Sequence, residues 1–175
     1  MDEQNKKITQ LLSGLGKADF EKDVDLHMHS CFSDGRLTPE ELVADAQKKN
    51  YRYIAIADHN TVDAYKKTEI LNASKVEIIT AIEFDCWYKG VLVHILGYGV
   101  DIYNEELLKL CAKNKKETEA DIVRLLNSRH PKDVIKAIHL AGGAAVLAHP
   151  ACYWALSLEP VSYTHLRAHE TEADL

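Results

Sequence analysis

No apolar run in this sequence approaches the roughly 20 residues of a membrane-spanning helix, so no membrane partner is expected. The opening Met1-Asp2-Glu3-Gln4-Asn5-Lys6-Lys7 also lacks the apolar stretch of a secretory signal, and the expected location is the cytoplasm. Cysteine is sparse: Cys31, Cys86, Cys111 and Cys152 are widely spaced, with no C-x-x-C pair. A disulfide framework is therefore not expected, and the thiols read as reduced. There is no basic excess either, with 21 basic against 27 acidic residues and a net charge of -6. That balance argues against a broad nucleic-acid surface. It still admits a phosphorylated small molecule, because bound cations would set the local field. No glycine-rich phosphate loop occurs, since Gly97-Tyr98-Gly99 is too short a signal. No Ser, Cys or Asp stands out as a nucleophile.

What the sequence does have is metal-ligand residue types at the ends of apolar runs. In Val24-Asp25-Leu26-His27-Met28-His29, alternation along a strand puts Asp25, His27 and His29 on one face and Val24, Leu26 and Met28 on the other. Two imidazoles at i and i+2 can reach one divalent ion. Ser33-Asp34-Gly35 adds a carboxylate on the following turn. Further apolar runs end at Asp58-His59, at Glu83, at His94 and at His149.

Between these runs lie helix signals. Residues 1–22 read as an amphipathic helical extension, with Ile8, Leu11, Leu12 and Leu15 at helical spacing. Thr38-Pro39-Glu40-Glu41 reads as a capped helix start. Thr61 is expected to cap a helix running to about Leu71. Trp87-Tyr88-Lys89-Gly90 reads as a hairpin tip. One long charged helix is expected over about 104–128, its middle segment Lys113–Glu117 forming a solvated face. Pro131 opens another helix, and Gly142-Gly143 ends it before a strand at 144–148. Alternating strands and helices with polar strand tips indicate an α/β barrel or open α/β sheet, in which ligands gather at the C-terminal strand ends.

The ordered set DLHMHS, SDG, LTPEELV, AIADHNT, Glu83, VHILGYGVD and GGAAVLAHP resembles the PHP (polymerase and histidinol phosphatase) family, over about residues 23–152. LTPEELV and HILGYGVD are most similar to its nucleotide and oligonucleotide phosphoesterase branch. The resemblance implies a distorted (β/α)7 barrel with up to three divalent ions (manganese, iron or zinc). It implies His27 and His29 on a first ion, a bridging Glu83, His94 and His149 on a second, and Asp34 and His59 on a third. Asp25 and Asp58 are expected beside the ligands, orienting imidazoles. The family's late Asp and His have no counterpart in this sequence, so the barrel is expected to be incomplete over 23–160. The branch's usual helical insertion is represented only by residues 104–141. Residues 161–175 form an atypical tail, read as non-native sequence replacing the natural continuation. His165 and His169, spaced i and i+4 in it, are not taken as ligands.

The expected activity is hydrolysis of a nucleotide or other small phosphate ester by cation-activated water. Rival readings are metal-assisted hydrolysis of a C–N or C–O bond, and a non-catalytic fragment; no protein partner is expected. Cys31 reads as a small packing residue. Cys86, Trp87 and Tyr88 read as core or rim packing, and His130 and His139 as surface or packing residues.

Overall fold

A computed structural model describes residues 3–73 and 75–150. Cys152, His165, His169 and the 161–175 tail lie outside the described residues. The N-terminal extension is two helices, α1 (Glu3–Gly14) and α2 (Lys17–Lys22). Strand β1 (Val24–Met28) buries Val24 and Leu26 as alternation requires. Helix α3 (Pro39–Lys48) begins as its sequence signals. Thr38 Oγ1 accepts from the Glu41 amide at 3.2 Å, and the Glu41 carboxylate accepts from the Thr38 amide at 2.8 Å.

Strand β2 (Tyr53–Ile56) is followed by two short helices, α4 (Asp63–Lys66) and α5 (Ile70–Ala73), rather than one helix to Leu71. Thr61 Oγ1 accepts from the Asp63 amide at 3.1 Å, but Val62 occupies the cap position. Strand β3 (Glu77–Ile78) completes a parallel sheet in the order β1-β2-β3.

Strands β4 (Ala81–Tyr88) and β5 (Val91–Tyr98) form an antiparallel hairpin. Lys89 and Gly90 form its tip, both with positive φ (47° and 82°), as a two-residue turn compatible with strand twist requires. Glu83 and His94 therefore lie within strands, not at strand ends as their apolar runs suggested. A second sheet has the order β4-β5-β6, with β6 (Ala144–Leu147) antiparallel to β5. The described strands are thus half parallel and half antiparallel.

The two sheets meet beside β2. The His59 and Glu83 backbones bridge in parallel, with Asn60 N donating to Glu83 O at 2.8 Å and Glu83 N to Asp58 O at 3.2 Å. The buried Tyr65 hydroxyl reinforces the junction. It accepts from the amides of Ile56 (2.9 Å) and Ala81 (3.1 Å) and donates to Ile56 O (2.7 Å). Burial holds its phenol well above the ordinary value. Tyr65→Phe leaves two buried amides unpaired, so a loss of about 1–3 kcal/mol is expected in denaturant unfolding.

The expected long helix over 104–128 is three short ones: α6 (Glu105–Leu110), α7 (Lys116–Glu119) and α8 (Asp121–Leu126). The chain leaves α6 at Cys111, in extended conformation, so that the Ala112 amide can donate to Asn60 O at 2.7 Å. It straightens again at Ala120, and α8 then presents Arg124 inward while Ile122 and Leu126 are exposed. Helix α9 (Pro131–Leu140) opens at Pro131, with the His130 ring accepting from the Lys132 amide at 3.2 Å. Its Val134, Ile135 and Ile138 join Ile54, Ile56, Ile82, Phe84, Cys86 and Val93 in the main core. Cys86 is a core residue, whereas Trp87 is half exposed at the hairpin tip. Among the described residues no helix is long and apolar enough to cross a membrane.

Candidate metal centre

The site is built where four pieces of chain meet: the end of β1 with its following loop, the segment after β2, the polar face of the β4–β5 hairpin, and the segment after β6. Alternation in β4 sends Ile82, Phe84 and Cys86 into the core and Glu83 and Asp85 to the opposite face. In β5, His94 stands directly across from Asp85.

Glu83 is the hub, with 1% of its surface exposed. Its Oε2 lies 3.0 Å from His27 Nε2, 3.2 Å from His29 Nε2 and 3.5 Å from His59 Nε2. Its Oε1 lies 3.1 Å from both His94 Nδ1 and His149 Nε2. Asp34 lies on the flank, 3.4 Å from His29 Nδ1 and 3.6 Å from His59 Nε2. All seven residues singled out as ligands from the sequence thus meet in one cluster. His149 adopts φ 29° just before Pro150, a left-handed backbone that is rare for a residue with a side chain.

Burial opposes ionisation of Glu83, yet His149, His27, His29 and His94 together hold its carboxyl far below the usual carboxylate range. Burial likewise disfavours a charged His29, but Glu83, Asp34 and Asp58 raise it overall. Asp34 is lowered against burial by Arg124, His59 and His29.

The two carboxylates expected beside the imidazoles do something else. Asp25 Oδ1 accepts from the His27 backbone amide at 3.2 Å. Asp58 holds the loop after β1, accepting from Ser30 N (2.7 Å), Ser30 Oγ (2.6 Å) and Ser33 Oγ (2.6 Å). Within that loop Gly35 is required by space. A Cβ there would sit 2.1 Å from the His29 carbonyl oxygen. Gly35→Ala is expected to cost about 1–3 kcal/mol and to displace Asp34, read as a lower denaturation midpoint and weaker metal retention.

Sequence reasoning missed two residues. Asp85, with no exposed surface, lies 3.2 Å from His59 Nδ1 and 3.2 Å from His94 Nε2. Glu83-x-Asp85 alternation in β4 was the signal for it. Arg124 reaches Asp34 Oδ2 at 2.7 Å and approaches Asp85 Oδ2 at 3.7 Å. Nothing in the spacing of its helix marks it.

The donor set suits divalent cations. Three overlapping groups each bring their ligand atoms within 4.8 Å of one another: His27, His29 and Glu83; His29, Asp34 and His59; His59, Glu83 and His94. Ligand atoms about 2.1 Å from one ion stand about 3.0 Å apart in an octahedron and about 3.4 Å apart in a tetrahedron. The separations from Glu83 to His27, His29, His94 and His149, 3.0–3.2 Å, fall in that range, and the one to His59 is 3.5 Å. Imidazole and carboxylate donors fit manganese, iron or zinc.

The PHP domain model matches residues 25–168, most of the chain. This chain belongs to the PHP domain family. Among PHP relatives, a 5'-3' exoribonuclease of Haemophilus influenzae is 33% identical over 139 residues, covering 75% of this chain and 50% of that protein. The phosphoribosyl 1,2-cyclic phosphate 1,2-diphosphodiesterase of Eggerthella lenta is 29% identical over 143 residues, covering 78% of this chain and 55% of that protein. The chain thus spans about half the length of these curated relatives. A solved structure from Bifidobacterium adolescentis, assigned as a metal-dependent phosphoesterase, superposes with a TM-score of 0.62 at 21% identity. It covers 73% of this chain and 67% of that one. The likeness supports an α/β PHP fold.

Proposed function

We propose that the protein is a metal-dependent phosphoesterase acting on a nucleotide, short oligonucleotide or other small phosphate ester. The observation that carries this reading is the convergence of His27, His29, His59, His94 and His149 on the buried Glu83. His27, His29 and Glu83 would hold one divalent ion, Glu83, His94 and His149 a second, and Asp34 with His59 a third. Such ions supply charge neutralisation for a phosphate and an acidified water as nucleophile. The protein's contribution is to keep Glu83 ionised by surrounding it with imidazoles and to keep Asp34 within reach by tying its loop to Asp58. The names of the curated relatives, an exoribonuclease and a cyclic phosphate diesterase, favour phosphoester over amide or lactone substrates. Residues 23–160 are taken as the domain, a (β/α)7-type barrel, with cytoplasmic action.

The test is turnover of mono- and diesters of p-nitrophenyl phosphate by the purified protein. It is measured after chelation and again after reloading with manganese, iron or zinc. The expected result is activity lost on chelation and regained with at least one of these ions, with amides and lactones turned over far more slowly. Activity indifferent to chelation, or directed to amides and lactones, contradicts the proposal.

A further inference from the structure

We propose that Asp85 sets the orientation and the protonated nitrogen of both His59 and His94, in opposite senses. His59 then presents Nε2 to the cluster and His94 presents Nδ1. This rests on the metal-site reading above.

Asp85 Oδ1 faces two rings at once, 3.2 Å from His59 Nδ1 and 3.2 Å from His94 Nε2. In each ring the other nitrogen points to the hub: His59 Nε2 lies 3.5 Å from Glu83 Oε2, and His94 Nδ1 lies 3.1 Å from Glu83 Oε1. Glu83 and Asp85 thus face opposite nitrogens of each ring, and a cation held at Glu83 takes the lone pair of the nitrogen on its side. The proton then stays on the nitrogen facing Asp85, a carboxylate that can only accept.

Asn60 holds both the backbone and the carboxylate of Asp85, and an arginine lies nearby. Asn60, buried and with φ 56°, accepts from the Asp85 amide at 3.0 Å through Oδ1 and donates from Nδ2 to Asp85 Oδ2. Arg124 Nε stands 3.7 Å from the same oxygen. Cross-strand pairing puts His94 opposite Asp85, and the His59–Glu83 bridge brings His59 alongside β4. Asp85 is therefore a positioning residue, and it fills the role that the sequence assigned to Asp25 and Asp58.

The experiment is a two-bond proton–nitrogen correlation spectrum of the protein with 15N-labelled histidine, loaded with zinc, whose zinc content is measured on the same sample. The expected spectrum has His59 protonated on Nδ1 and His94 on Nε2. Asp85→Asn is expected to weaken zinc binding about 10–100-fold while leaving the number of ions at saturation unchanged. His59 protonated on Nε2, or His94 on Nδ1, overturns the proposal. So does an Asp85→Asn protein with unaltered zinc affinity, or one that loses a whole zinc equivalent, which would make Asp85 a ligand. If that variant does not fold, the wild-type spectrum decides alone. If the wild type takes up none of zinc, manganese or iron, the phosphoesterase reading fails, and spectra of the metal-free protein at alkaline pH still read which nitrogen is protonated.

Discussion

Glu83→Gln is expected to abolish the activity, with turnover of a phosphate ester falling by more than about 100-fold and bound metal falling with it. Loss of an outer-shell partner alone costs about 10–100-fold, and Glu83 is no outer partner. Both its oxygens are committed, one toward His27, His29 and His59 and the other toward His94 and His149. A glutamine keeps the volume but loses the charge and offers one acceptor oxygen instead of two. Two of the proposed ion positions share this side chain, so both are weakened together. Metal content per chain, measured beside turnover, checks the expectation; a variant with undiminished metal and rate would remove Glu83 from the centre.

Asp58→Ala is expected to have the largest effect on stability, about 2–5 kcal/mol, because three hydrogen bonds to one carboxylate are lost and its buried donors are left unpaired, partly offset by the desolvation cost that the carboxylate no longer bears. The carboxylate is fully buried and receives the Ser30 amide and both the Ser30 and Ser33 hydroxyls. Without it those donors lose their acceptor in a place water does not reach. The loop they define carries His29 at one end and Asp34 at the other, so metal retention is expected to fall as well. Urea unfolding of the metal-free protein separates the two effects, since it reads the loop's contribution without the ions. Unchanged stability of the metal-free variant would mean the loop is held by other contacts.

Much of this site was legible in the sequence because strands write their geometry plainly. A period of two marks His27 in β1 and His29 one residue past its end as a pair, and the end of each apolar run marks where the chain emerges from the core. The same marker misled at Glu83 and His94. Their apolar runs end there because the side chain facing the site is polar, while β4 and β5 continue to Tyr88 and Tyr98. Reading β4 as finished at Glu83 hid Asp85, one pleat further along. Asp58 was misassigned for a related reason. It precedes His59 in sequence, but β2 has ended at Ile56, and the chain's turn sends the carboxylate to the serines. Arg124 was not legible at all. In α8 the apolar Ile122 and Leu126 are exposed and the arginine between them is buried, the reverse of the usual amphipathic pattern. Local pattern cannot anticipate a helix orientation set by carboxylates, Asp34 and Asp85, that are distant in sequence.

On the function proposed above, residues spread from His27 to His149 hold cations around one glutamate. Anomalous diffraction from crystals of the zinc-loaded protein would locate those ions. Strong peaks are expected about 2.0–2.3 Å from ligand atoms of His27, His29 and Glu83 and of Glu83, His94 and His149. Zinc bound elsewhere, with Glu83 touching no ion, would contradict it.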